Sequence, residues 1–88
     1  MEIEKLKAFA AVAETGSFTR AAEILYTSHS SISRAVSALE RELGVKLIER
    51  DNRVVGLTAA GEILLKGAKD ILEREEMLKK EIEKSAKK

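Results

Sequence analysis

Between Ser28 and Gly44 the chain sets small hydroxyls and guanidiniums on one side of a helical wheel and aliphatic side chains on the other. At about 100° per residue, Ile32, Val36, Leu39 and Leu43 recur at i, i+4, i+7 and i+11 as one narrow apolar stripe. Opposite them lie Ser30, Ser33, Arg34, Ser37 and Arg41. No acidic residue occurs between Ile24 and Leu39, in a chain where 35% of residues are charged. A solvated helix face ordinarily mixes Glu with Lys at helical spacing. A short-chained, acid-free, hydrogen-bonding face suits the close approach of an anion. Duplex DNA is the leading candidate, because its major groove admits a helix, its phosphates accept bonds from hydroxyls and Arg, and Arg can read guanine edges bidentately.

The remaining polar residues of this stretch are weighed the same way. Ser30, Ser31, Ser33 and Ser37 compete with the backbone for hydrogen bonds and so lower helix propensity, which favours groove contact over indifferent surface for the set. His29 is the only histidine. A metal site needs more ligands than the chain offers, which leaves a base or phosphate contact, or plain surface. Glu40 and Glu42 read as structural acids, and Gly16, Gly44 and Gly56 as backbone geometry.

The elements that must position these residues follow from periodicity and breakers. Ile3, Leu6, Phe9, Ala10, Val12 and Ala13 keep the helical period up to Glu14, and Gly16 is a natural stop. Ser17 can cap a second helix whose apolar side is Phe18, Ala21, Ala22 and Leu25; the alanine pair implies a close helix crossing. Tyr26, expected to pack, and Thr27 leave only a short turn before Ser28, an N-cap for the third helix. Two helices so joined, the second with a polar outer face, form a helix-turn-helix spanning about 18–37. Val45, Leu47 and Ile48, then polar Asp51-Asn52-Arg53, then Val54, Val55 and Leu57, predict two short strands around a tight tip: a β-wing over about 46–57. From Thr58, a plausible N-cap, the pattern runs as one helix of about 40 Å. Leu64, Ile71 and Leu78 are spaced by seven, with Ala68 and Ile82 between them, a dimerisation seam interrupted by Glu75.

Composition excludes more than it assigns. Eighty-eight residues make one small domain, with 44% hydrophobic residues, 3% aromatic and no proline. Without cysteine there is no disulfide framework, thiolate metal site or thiol nucleophile. The acids are scattered along amphipathic helices, no glycine-rich phosphate loop occurs, and one His supports no triad. An enzyme is therefore not expected, nor a cofactor or metal. No apolar run approaches the length of a membrane span and no signal peptide is evident, so a cytoplasmic location is expected. The net charge of +1 makes a global electrostatic case weak; the case rests on where the charges sit.

At this point the residues match a known pattern. Leu6, Phe9, Val12-Ala13, Gly16-Ser17-Phe18-Thr19, Ala21-Ala22, Leu25, Ser28, Ser33-Arg34, Leu39-Glu40, Leu43-Gly44, Leu47, Glu49-Arg50, Leu57-Thr58 and Gly61 together resemble the winged helix-turn-helix domain of LysR-type transcriptional regulators. The likeness covers about residues 1–61 without a gap, and the remainder resembles that family's linker helix. The resemblance implies a mainly α fold: a three-helix core with a two-stranded wing at 1–57, and a linker helix at 58–88. It implies promoter DNA as partner, with the recognition helix in the major groove and the wing on the backbone or minor groove. It also implies a homodimer through the linker helix, with a tetramer open to an intact regulator. Carried over by position, His29, Ser30, Ser33 and Arg34 would face base edges or adjacent phosphates. Thr19, Arg20, Ser28, Ser31, Ser37 and Arg50 would hold the backbone, and Arg53 would serve the wing. Three positions depart from the pattern: His29 replaces the common Gln, Ser30 the common Pro, and Ile48 the usual Phe.

Regulators of this type continue into an effector-sensing domain that this sequence lacks. An excised DNA-binding fragment is the favoured reading over a naturally short protein, and an effector is expected only with that further domain. The rival function is a protein-interaction module built on the winged helix and dimerised by the long helix. The aromatic-free face at Ser28–Ser37 argues against it, because protein interfaces concentrate aromatics at their centre.

Overall fold

Three amphipathic helices close over one another because each has an apolar stripe too narrow to be buried alone. The computed structural model describes residues 1–51 and 54–86. The order is α1 (Ile3–Thr15), α2 (Phe18–Ile24), α3 (His29–Leu43), β1 (Ile48–Asp51), β2 (Val54–Leu57) and α4 (Ala59–Ala86). Leu6, Phe9 and Val12 of α1 meet Ala21 and Ala22 of α2 and Ile32, Val36 and Leu39 of α3, all buried in one core. The alanine pair lets α2 lie close, with Ala21 fully buried. This is the expected winged helix-turn-helix fold followed by a long helix. None of its described helices is long and apolar enough to cross a membrane.

The helix ends are set by local chemistry. Gly16, at φ 70°, donates its N–H to the Val12 carbonyl at 2.8 Å and ends α1. The Ser17 hydroxyl accepts from the Arg20 N–H at 3.0 Å and starts α2. α2 ends in a Schellman turn, with the Thr27 N–H bonded to the Ala22 carbonyl at 2.9 Å and the Tyr26 N–H to the Glu23 carbonyl at 3.3 Å. Tyr26 takes the left-handed position at φ 56°, where glycine is usual. Its side chain is 96% exposed, which corrects the expectation that it packs. Backbone bonds seal this turn, and Leu25 supplies its apolar contact with the core. Leu43 also departs from expectation: it is half-exposed, and Leu47, returned by the turn at Gly44, is buried instead.

Glu40 joins α3 to the wing. It is the buried acid among the described residues, and its Oε2 accepts the backbone N–H groups of Leu47 at 2.9 Å and Ile48 at 3.2 Å. Lys46 supplies a cation 3.8 Å from the other carboxylate oxygen. β1 and β2 pair antiparallel, with Ile48 opposite Leu57 and Arg50 opposite Val55. Side chains alternate along a strand, so Ile48 and Arg50 share the side that faces the helices. The expected wing residue Arg53 lies outside the described residues.

α4 begins where Thr58 caps it: the hydroxyl accepts from Gly61 N–H at 3.0 Å and donates to the Lys46 carbonyl at 2.6 Å. Gly61 is buried against the Leu47 carbonyl, so close that a Cβ would collide with it. α4 then lies along α1 as far as Glu75, tied by Lys69–Glu14 at 3.2 Å and Lys7–Glu75 at 3.9 Å. This corrects one expected seam residue. Ala68 is fully buried in the domain's own core, and Leu64 packs half-buried against it, whereas Ile71, Leu78 and Ile82 stand 40%, 43% and 65% exposed. The stripe that starts on the core at Leu64 is left exposed further on because α4 runs past the three-helix core.

Candidate nucleic-acid interface

The polar side of α3 is an open concave surface lined by His29, Ser30, Ser31, Ser33, Arg34, Ser37 and Arg41, with Lys5 of α1 at its border. Six of the expected contact residues thus come together because one helical face carries them. Ser37 also borders a second concavity with Lys46, Glu49, Arg50 and Thr58 at the root of the wing, which brings Arg50 alongside. Thr19 and Arg20 sit exposed at the start of α2 and line neither concavity. Lys5 and Lys46 were not singled out by sequence. Nothing in the α1 period marks Lys5; only the crossing of α1 over α3 brings it there.

The first turn of α3 is knitted by hydroxyls. Ser28 accepts the Ser31 N–H at 3.1 Å and donates to the Ser31 hydroxyl at 2.9 Å, with the Ser30 hydroxyl 3.2 Å away. Ser28 therefore acts first as an N-cap, and the backbone N–H groups beside it remain the natural place for an anion. Ser33 and Ser37 form no side-chain hydrogen bond among the described residues, nor does Arg34.

Charge pairing is uneven among the cations, and Lys66, Arg74, Lys80 and Lys84 on α4 have no carboxylate within 4.0 Å among the described residues. Lys5, Lys7, Lys46, Lys69 and Lys79 each lie within 4.0 Å of a carboxylate. Arg20, Arg34, Arg41 and Arg50 have no such partner among the described residues. Their planar forks are left with free donors in the geometry that matches phosphate and guanine. Arg50 instead lies over the Phe18 ring, its guanidinium carbon 4.5 Å from the centroid. The same ring approaches the His29 imidazole at 5.5 Å with a 37° tilt.

α4 carries the second candidate surface. Ile71, Arg74, Glu75 and Leu78 form a largely apolar groove with Ile3 of α1. Ile63, 75% exposed, continues the stripe towards the domain, an extension the seven-residue count misses because Ile63 lies eight residues before Ile71. Gly67, between them, has nothing within 4 Å of where its Cβ would stand.

Residues 3–62 match the family model for bacterial regulatory helix-turn-helix proteins of the lysR family. The chain is 49% identical over 72 residues to the HTH-type transcriptional regulator TfdT of Cupriavidus pinatubonensis (strain JMP 134 / LMG 1197), covering 82% of this chain and 32% of TfdT. It is 51% identical over 79 residues to the Hca operon transcriptional activator HcaR of Escherichia coli (strain K12), covering 90% of this chain and 27% of HcaR. Both relatives are thus matched over about a third of their length or less. The crystal structure of a BenM_DBD/catB site 1 DNA complex superposes with a TM-score of 0.95 at 34% identity, over 100% of this chain and 98% of that one.

Proposed function

This chain belongs to the lysR family of bacterial regulatory helix-turn-helix proteins, and from that premise we propose that it binds duplex DNA sequence-specifically as the DNA-binding portion of a transcriptional regulator. The observation that carries the reading is the α3 face: guanidiniums unpaired among the described residues and short hydroxyls gathered on one open surface with no acid lining it. The matched DNA complex, which superposes over the whole chain, supports it. α3 enters the major groove. His29, Ser30, Ser33 and Arg34 read base edges or adjacent phosphates; Thr19, Arg20, Ser28, Ser31, Ser37 and Arg50 hold the backbone, and Arg41 and Lys5 extend the cationic border.

A dimer follows from α4. Ile63, Ile71, Leu78 and Ile82 expose an apolar stripe on a helix whose adjoining side already covers the domain core. The stripe is covered by the same stripe of a second copy, which presents two α3 helices to a roughly two-fold symmetric operator. The chain works without cofactor or catalysis and acts on DNA in the cytoplasm. Effector sensing belongs to a larger protein of this kind.

Selection of binding sites from random duplex DNA at two salt concentrations tests the reading. Enrichment of a dyad-symmetric motif with a steep salt dependence is expected. Unselective retention that disappears with modest salt would shift the reading to a protein-interaction module.

A further inference from the structure

Phe18 does more than fill the core. It is the first residue of α2, fixed by the Ser17 cap, and only 9% exposed. Two polar groups from other elements meet its ring: the Arg50 guanidinium from β1 at 4.5 Å and the His29 imidazole from the first turn of α3 at 5.5 Å. Arg50 reaches the ring because strand alternation puts it on the same side as buried Ile48. No carboxylate pairs with Arg50 among the described residues.

We propose that Phe18 is a positioning residue for DNA binding, its ring holding the Arg50 guanidinium beside the first turn of α3 so that wing and recognition helix meet the phosphate backbone as one preset unit. The inference rests on the DNA-binding reading above. An aromatic face suits this task better than an acid. A carboxylate would fix Arg50 but cancel its charge, as Glu75 does for Lys7, whereas the ring attracts the cation through its quadrupole and leaves the net charge whole. A guanidinium already held loses less side-chain freedom when the phosphate arrives. His29, against the same ring, keeps the first turn of α3 in register with that contact.

A double-mutant cycle on the full chain tests the link, with Phe18→Leu, Arg50→Ala and the pair, titrated against the selected operator and a random duplex. Phe18→Leu is expected to weaken both duplexes alike by about 3- to 10-fold, and to cost nothing further once Arg50→Ala is present. Phe18→Tyr, which keeps the aromatic face, restores binding. Equal Phe18→Leu losses with and without Arg50, or no loss at all, would overturn the proposal while leaving DNA binding intact. If the unmodified chain binds neither duplex, the DNA-binding reading itself fails, and the proposal with it. Thermal melting confirms that each variant is folded at the assay temperature. For any variant that is not, the contact is read directly in the unmodified chain: Arg50 side-chain protons shifted upfield by the Phe18 ring current are expected, and unshifted protons would overturn the proposal.

Discussion

Arg34 projects from the middle of the α3 polar face with no acid to hold it among the described residues, flanked by Ser33 and Ser37. A free guanidinium at this point has two uses in a groove, bidentate bonding to a guanine edge or a phosphate contact, and they differ in how they treat the wrong sequence. Base reading gives a loss of about 1–3 kcal/mol on the operator for Arg34→Ala, with a smaller loss on random duplex; anisotropy titrations of both measure it. Equal losses would move Arg34 to the backbone. That Arg34 and its serines share one polar face was legible in the sequence, because spacing alone puts them there. The role of Glu40 was legible only as structural. That its carboxylate takes two backbone N–H groups seven and eight residues on depends on the turn at Gly44, which brings Leu47 and Ile48 back to α3.

At the scale of elements, the joints carry the precision. The α2–α3 turn holds Tyr26 at φ 56°, a conformation that costs an L-residue about 1–2 kcal/mol. Glycine relieves this and loses some of the gain through its freer unfolded chain. Tyr26→Gly is therefore expected to stabilise by about 0.5–1 kcal/mol in urea denaturation. Destabilisation would mean that the ring packs after all. The α4 joint has the opposite sensitivity. Gly61 leaves no room for a Cβ beside the Leu47 carbonyl, so Gly61→Ala should destabilise by about 1–3 kcal/mol despite alanine's helix propensity. Gly67, on the same helix with open space around it, should gain about 0.5–1 kcal/mol from the same change in the isolated chain. A similar gain at both positions would refute the close approach of α4. The space around each glycine cannot be read from local sequence; only the surroundings in the fold separate them.

For the molecule as a whole, the 54 Å long axis is set by α4, whose 28 residues run well past the three-helix core. One side of its N-terminal part is covered by the chain itself, while Ile63, Ile71, Leu78 and Ile82 along it are exposed. A charge placed there should cost little within one copy and much between two. Ile71→Glu is expected to halve the mass seen by light scattering while the melting temperature of the three-helix core holds. An unchanged mass would place the interface elsewhere.

The sequence by itself determined the elements, the caps and the family, because hydrophobic period, Ser and Thr caps and Gly stops act within a few residues of chain. It also determined which face of α3 is polar. Tertiary structure alone decided how the faces are used: that Ala68 belongs to the core and not to a seam, that Lys5 borders the α3 groove, and that Phe18 joins Arg50 to His29. The physical reason is the same in each case. Periodicity fixes where a side chain points around its own helix or strand, whereas its neighbours depend on how separate elements cross, and that crossing is set by the packing of the whole core.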